Sequence, residues 1–297
     1  STLTDYKKSV NLLTEEFGDF NVNAITLGHV RDYCDKSTAT AKRLNNLISP
    51  LRQALQRAVE DGTLSNNILT GWSYKKTKAL TDDDSIDPFS QDEQLALLDT
   101  AKDQARNLIM FAFWTGMRTS EYIALKWQDV DFIKQTVSVN RALTQSANSA
   151  ELPKTNAGKR IIKLLPPAFT ALENQKQHTF LQDAEIFHNP KTDQPFTGDQ
   201  QVRKTLWVPL LKKAGVRYRY PYQTRHTYAS MMLSAGEHPM WVARQMGHSD
   251  WSMIARRYGK WMPEAMPDAG QKAVDIFGSF LERFQGESRG VKGSNKG

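Results

Sequence analysis

The chain has 297 residues, more than one hydrophobic core usually organises, so we expect two domains with separate cores. Lys and Arg total 39 against 32 for Asp and Glu, and the resulting net charge of +7 favours a polyanionic partner, either nucleic acid or an anionic membrane. The sequence has one cysteine, which excludes internal disulfides and multi-cysteine zinc sites and fits a reducing cytoplasm. It has no signal segment and no apolar run of the roughly 18 residues that span a bilayer, so we expect a soluble cytoplasmic protein with no membrane partner.

The first part of the chain is predicted to be a small helical domain over residues 1–72. Its apolar residues recur at helical spacing, as in Leu44, Leu47, Leu51 and Leu55. Cys34 is interpreted as a residue of the helix packing. Residues 73–88 are polar and carry opposite charges at their two ends, which is typical of a linker.

A second domain is predicted over residues 89–272. Ser90 can cap a helix and Glu93 can complete a capping box. Residues 107–124 read as a buried helix that breaks at Gly116. Alternation at period two then predicts a small antiparallel sheet from three strands, which lie near Val130–Phe132, Thr136–Val139 and Ile161–Leu164.

Helical spacing returns in the rest of this domain. The predicted helices are Phe169–Leu181, Gln200–Ala214, Gln223–Ala235, Met240–Met246 and Ser252–Trp261. Residues 273–297 are expected to form an amphipathic helix, Val274–Phe284, followed by a flexible tail rich in Gly, Ser and Lys. The predicted fold class is therefore mainly α with a small antiparallel β-sheet (α+β).

Five separated segments contain chemically informative residues. They are Thr115–Glu121, Pro153–Thr155, Tyr222–Thr227, Met246–Ser249 and Arg257–Gly259. In this order they resemble the tyrosine recombinase (phage integrase) family, over residues 90–261 for its catalytic domain. The helical domain before them is similar, more loosely, to the family's core-binding domain, which contacts DNA.

The resemblance implies a role for each matching residue. Arg118 and Arg225 would stabilise the charge that develops on a phosphate during phosphodiester exchange, because guanidinium groups bind such oxygens in bidentate geometry. Tyr258 would be the nucleophile and Lys154 the general acid for the departing 5′-hydroxyl. His248 would donate a hydrogen bond to the phosphate, and Glu121 would orient the site.

The chain departs from the family pattern at two points. Tyr222 stands where the family often has a histidine, three residues before Arg225; it can donate a hydrogen bond to phosphate, but phenols are poor proton shuttles near neutrality. His226 is not that histidine displaced, because one step along a helix turns a side chain by about 100°, and it is interpreted as a packing residue or an indirect neighbour of the site. Tyr258 also follows His248 at one residue more than the usual spacing.

Several structural interpretations stay open beside the functional ones. Arg118 also fits a structural arginine paired with Glu121, and His248 also fits a helix cap after Gly247. Lys159 and Arg160 are read as phosphate contacts or solvated charges. A DNA-backbone face and a solvated face are both open for one basic set, which comprises Arg203, Lys204, Lys212, Lys213, Arg217 and Arg219.

The resemblance implies a site-specific recombinase that exchanges DNA strands through a 3′-phosphotyrosyl intermediate, with no metal or nucleotide cofactor. Its partners would be double-stranded recombination sites, a homo-tetramer on DNA, and accessory DNA-bending or directionality proteins. A type IB topoisomerase and a non-catalytic DNA-binding regulator remain alternatives. Because the chain starts at Ser1, without an initiator Met, an upstream arm-binding domain is a further open possibility.

Overall fold

The computed structural model describes residues 2–75, 86–143, 159–181, 185–248 and 250–262. It separates into an N-terminal unit that ends at Ile86 and a second unit that begins at Asp87. The predicted hairpin residue Lys154 and the predicted helix Val274–Phe284 lie outside the described residues.

The N-terminal unit is helical and has its own apolar core. Its helices are α1 (Thr2–Phe17), α2 (Leu27–Asp35), α3 (Ala41–Leu47) and α4 (Ser49–Glu60). Thr26 begins α2 with a capping box, since its side chain accepts from the His29 backbone and the His29 ring accepts in return. Cys34 is fully buried in the core, as predicted, and burial raises the pKa of its thiol.

The second unit is also mainly helical. Its helices are α5 (Gln91–Thr100), α6 (Asp103–Thr115), α7 (Thr119–Tyr122), α8 (Pro166–Thr179), α9 (Asp199–Val202), α10 (Val208–Lys213), α11 (Gln223–Ser234), α12 (Pro239–Met246) and α13 (Ser252–Tyr258). The predicted capping box at the start of α5 is present, with Ser90 accepting from the Glu93 backbone and Glu93 accepting from that of Ser90. None of the described helices is long and apolar enough to cross a membrane.

Two small antiparallel sheets accompany these helices. The first has strands β1 (Val130–Asp131), β2 (Thr136–Val139) and β3 (Arg160–Lys163) in that order. The buried residues Val137 and Ile162 face each other across β2 and β3. A second pair, β4 (His188–Asn189) with β5 (Gln194–Pro195), was not predicted. The predicted fold class, mainly α with a small antiparallel sheet, is confirmed.

Gly116 determines how α6 ends and how closely α11 approaches it. It adopts a left-handed conformation, with φ +62°, and a Cβ there would lie 2.4 Å from a ring carbon of Tyr228 on α11. Only glycine combines that backbone conformation with so close an approach. The predicted break at Gly116 is therefore present, and it brings the start of α7 to the first turn of α11.

Candidate active site

Arg118 and Glu121 lie on one short turn at the start of α7. The Glu121 carboxylate accepts hydrogen bonds from the Arg118 backbone N at 2.9 Å and from Arg118 Nη1 at 2.6 Å. The Arg118 side chain retains 34% exposure, whereas Glu121 has 6%. The paired arginine therefore still has a surface that can contact a ligand, while the carboxylate is enclosed.

Arg160, the first residue of β3, binds the same carboxylate. Its Nη1 and Nη2 donate to the two Glu121 oxygens at 3.1 and 2.9 Å, and its Nε donates to the Gln245 carbonyl at 2.7 Å. With only 7% of its side chain exposed, Arg160 is not the solvated charge that the sequence suggested. Burial alone would raise the pKa of Glu121, but Arg160 and Arg118 lower it to about 2. Glu121 is therefore ionised, and it joins α7 to β3.

Arg225 is a buried guanidinium in the first turn of α11. It is 1% exposed, and its Nη1 donates to the Gly116 carbonyl at 2.6 Å. Burial, together with the positive charge of Arg118, lowers its pKa to about 10, so it stays protonated near neutrality. Within the part of the chain that the structure describes, no Asp or Glu forms an ion pair with it. A buried cation without a counter-ion is costly, and an anion bound beside it would offset that cost.

His248 follows the left-handed Gly247 that ends α12. Its backbone N donates to the Ala243 carbonyl at 2.9 Å, so it does cap the helix. Its Nε2 accepts from Arg225 Nη2 at 2.8 Å, because a guanidinium has no acceptor, and this places the ring proton on Nδ1. Burial, then the positive charge of Arg225, lowers the pKa of His248 to about 3. His248 therefore both caps α12 and contacts Arg225, so the two interpretations are compatible.

Tyr258 ends α13 with its ring buried and its hydroxyl directed at His226. The phenolic oxygen lies 2.5 Å from His226 Nδ1, and its hydroxyl donates to that nitrogen when the imidazole proton is on Nε2. Burial raises the pKa of Tyr258 to about 12 despite the opposing charge of Arg225, and burial lowers the pKa of His226 to about 4. From the sequence, His226 was expected to be a packing residue or an indirect neighbour of the site. In the structure it contacts the hydroxyl of the candidate nucleophile directly.

Tyr222 immediately precedes α11, and its ring also packs against His226. Its ring meets that of His226 edge-on, with centroids 5.1 Å apart, and its hydroxyl is near enough to Arg118 to raise the pKa of that guanidinium, after the effects of burial and Glu121. With 40% exposure it is open to a ligand. It also borders a cleft of about 260 Å³ that Arg118, Arg203 and Tyr220 help to line.

Both a family model and curated relatives match this chain. The family model described as "Phage integrase family" matches residues 88–263, more than half of the chain. The chain belongs to this family. It is 34% identical over 253 residues to IntQ of Escherichia coli (strain K12), which its name describes as defective, covering 76% of this chain and 61% of IntQ. It is 33% identical over 251 residues to the prophage integrase IntR of the same strain, covering 77% and 60%.

Solved integrase structures share the fold. The Tn1549 transposon integrase in complex with transposon right-end DNA aligns with a TM-score of 0.73 and 18% identity, covering 93% of each chain. A lambda integrase dimer bound to a core site aligns with a TM-score of 0.65 and 18% identity, covering 86% of this chain and 88% of that one. The chain spans about three fifths of the length of IntQ and IntR.

The basic set identified in the sequence does not form one exposed face. Arg219 is buried and pairs with Asp87 and Glu93 at 3.0 and 2.8 Å, so it is neither a solvated nor a DNA-facing charge. Arg217 also pairs with Asp87. Arg203 differs, because its Nε donates to the Tyr218 hydroxyl at 2.7 Å beside the cleft near Arg118.

The structure gathers most of the predicted site residues around Arg225. These are Arg118, Glu121, Tyr222, Arg225, His248 and Tyr258, all in the second unit. Lys154 lies outside the described residues. Among the residues that are described, no three His, Cys, Asp or Glu side chains are grouped as metal ligands would be. The site therefore contains two guanidinium groups that can bind an anion, Arg118 and Arg225, and a buried phenol, Tyr258.

Proposed function

We propose that the chain is a site-specific DNA recombinase that breaks and rejoins duplex DNA through a 3′-phosphotyrosyl link at Tyr258, without metal or ATP. The observation that carries this proposal is the buried Arg225 guanidinium, which has no carboxylate partner among the described residues and lies beside both Arg118 and Tyr258. A DNA phosphate supplies the anion that such a site requires, and the net charge of +7 favours a polyanion.

In the proposed cleavage step, Arg118 and Arg225 bind the non-bridging oxygens of the scissile phosphate. Their fixed positive charges stabilise the additional charge of the transition state, because they are already oriented before reaction. The Tyr258 oxygen forms a bond to phosphorus, the bond to the 5′-oxygen breaks, and Lys154 protonates that oxygen. The phosphotyrosyl link conserves the bond energy, so a 5′-hydroxyl of a partner duplex can reverse the step.

The remaining side chains support this step. Glu121 holds Arg118 and Arg160 in position through two short ion pairs. Tyr222 donates its hydroxyl to a phosphate oxygen once DNA displaces the contact with Arg118. His248 turns its ring to donate to the phosphate, since its present acceptor contact to Arg225 leaves the proton on Nδ1.

DNA and further copies of the chain are the proposed partners. Residues 1–72 are the core-binding domain, residues 73–88 the linker and residues 89–272 the catalytic domain, and the first and last of these clamp the duplex. Four protomers act on two sites, which is supported by a lambda integrase structure solved as a tetramer bound to a Holliday junction. Phosphate contacts supply most of the affinity, so binding falls steeply with salt. Accessory DNA-bending or directionality proteins, and a location at cellular DNA, belong to the same proposal.

A nicked suicide duplex tests the proposed function, because loss of the short fragment beyond the nick traps the covalent adduct. Since the target is not specified by the sequence, the probe is a library of nicked duplexes with a randomised core, from which denaturation-resistant adducts are recovered. We expect adducts on a restricted set of cores with the wild-type chain and none with Tyr258→Phe. Adducts on all cores, with relaxation of any supercoiled plasmid, would indicate a topoisomerase. Binding without adducts would indicate a regulator.

A further inference from the structure

The histidine that contacts the nucleophile is not at the family position. Tyr222 occupies that position, and its hydroxyl lies close enough to Arg118 to affect the pKa of that guanidinium. His226, one helical turn further on, is the residue whose Nδ1 lies within hydrogen-bond distance of the Tyr258 hydroxyl. The His226 and Tyr258 rings pack with centroids 5.7 Å apart, and the Tyr222 ring packs edge-on against His226 with centroids 5.1 Å apart. The imidazole therefore packs against two aromatic rings, and its Nδ1 lies at the reacting oxygen.

The surroundings keep this imidazole neutral. His226 is buried, and the charged groups that face it are Arg257 from α13 and Arg225 from its own helix, both positive. The titratable rings against it, Tyr222 and Tyr258, are phenols. Burial followed by the charge of Arg257 lowers the pKa of His226 to about 4, so the ring is neutral across the neutral range. In the tautomer with its proton on Nε2, the Nδ1 lone pair faces the Tyr258 hydroxyl.

We propose that His226 is a catalytic residue that takes the phenolic proton as Tyr258 attacks, an inference that rests on the proposed function. The bond from the Tyr258 oxygen to phosphorus forms, the bond to the 5′-oxygen breaks, and the phenolic proton moves to His226 Nδ1. Lys154 supplies a separate proton to the 5′-oxygen. During rejoining the imidazolium returns its proton to the departing phenolate.

The energetics of this transfer depend on its timing. A free phenol gives up its proton reluctantly, but an oxygen that is bonding to phosphorus cannot retain one, so the transfer becomes favourable as the bond forms. The negative phosphate near His226 also increases the proton affinity of the imidazole, because an opposite charge stabilises its protonated form. General-base assistance of this kind contributes about 10²- to 10⁴-fold to a rate.

The test measures single-turnover adduct formation on a nicked duplex recovered with the wild-type chain. His226→Phe retains an aromatic ring between Tyr222 and Tyr258 but has no acceptor. His226→Asn retains an oxygen acceptor near the Nδ1 position but cannot take up a proton at neutral pH. His188→Asn is the matched control, since His188 is equally a buried histidine and lies on β4, outside the site. Each protein is assayed on a normal phosphodiester and on a 5′-bridging phosphorothiolate, whose leaving group needs no proton.

We expect both His226 variants to bind the duplex as the wild type does and to form adduct about 100-fold more slowly or worse on both substrates. His188→Asn should match the wild-type rate. If either His226 variant cleaves at the wild-type rate, or if the phosphorothiolate restores it, His226 does not take the phenolic proton. If only one variant folds, as judged by circular dichroism, that variant decides.

Failure of this inference is distinguishable from failure of the proposed function. Wild-type adduct with fast His226 variants overturns only the role of His226. If the wild-type chain forms no adduct on any member of the library, the proposed function fails and the inference fails with it.

Discussion

The Arg225 guanidinium donates to the neutral ring of His248 at 2.8 Å, deep in the second unit. The pairing is unusual for a buried arginine, because imidazole supplies a lone pair but no negative charge. The nearest carboxylate network, centred on Glu121, is already used by Arg118 and Arg160. Among the described residues, the positive charge of Arg225 therefore has no carboxylate in ion-pair contact.

Inorganic phosphate should stabilise the wild-type chain and should stabilise Arg225→Gln less. A ligand that binds only the folded state adds about 1.4 kcal/mol to the free energy of unfolding at roughly ten times its Kd. Thermal unfolding is measured in phosphate and in chloride at equal ionic strength and pH. An equal phosphate effect on the two proteins would show that Arg225 does not bind the anion.

Glu121→Gln should destabilise the chain near neutrality by on the order of 3 kcal/mol, because Arg160 and Arg118 lose a buried partner. The pKa of Glu121 is lowered on folding from 4.5 to about 2, so its contribution is complete above pH 4.5 and is lost as the pH falls toward 2. The difference in urea unfolding free energy between the two proteins should therefore shrink from pH 5 downward. A difference that does not change with pH would contradict an ionised Glu121 in the folded state.

Gly116→Ala should reduce both stability and DNA cleavage, and Gly215→Ala is its matched control. Both glycines have positive φ, +62° and +68°, so each substitution costs about 1–2 kcal/mol of backbone strain. Only at Gly116 does the added Cβ meet the Tyr228 ring, which adds about 1–3 kcal/mol and displaces the carbonyl that holds Arg225. Chemical denaturation and adduct formation are compared. Equal losses at the two positions would refute the packing argument.

Lys154→Ala should slow cleavage of a normal phosphodiester and recover on a 5′-phosphorothiolate. The sulfur leaving group departs without protonation, so the loss of a general acid no longer matters. The ratio of the two cleavage rates, relative to that of the wild type, is the measurement. A variant that stays slow on both substrates would rule out proton donation by Lys154.

Local patterns predicted the elements, whereas contacts across the chain needed the structure. The Ser90 and Glu93 capping box and the break at Gly116 follow from interactions within a few residues. The contact of His226 with Tyr258 joins residues 32 apart, and that of Arg160 with Glu121 joins residues 39 apart. No periodicity specifies which side chains of distant elements meet. The two-residue strands β4 and β5 are likewise too short to show alternation.

The fold class is confirmed, whereas the roles of the site residues and the domain limits remain predictions. The structure brings Arg118, His248 and Tyr258 near Arg225, but proximity alone does not assign a reaction to them. Their roles, and the domain limits at residues 72, 88 and 272, stay predictions that rest on chemistry and on the family pattern.

The most direct measurement identifies the residue that becomes joined to DNA. Trapped adducts are digested with nuclease and protease, and the modified peptide is sequenced by mass spectrometry. We predict a nucleotide attached through a 3′-phosphate to Tyr258, in a peptide that also contains Gly259. A nucleotide on another side chain, such as Tyr222 or Tyr228, would contradict it.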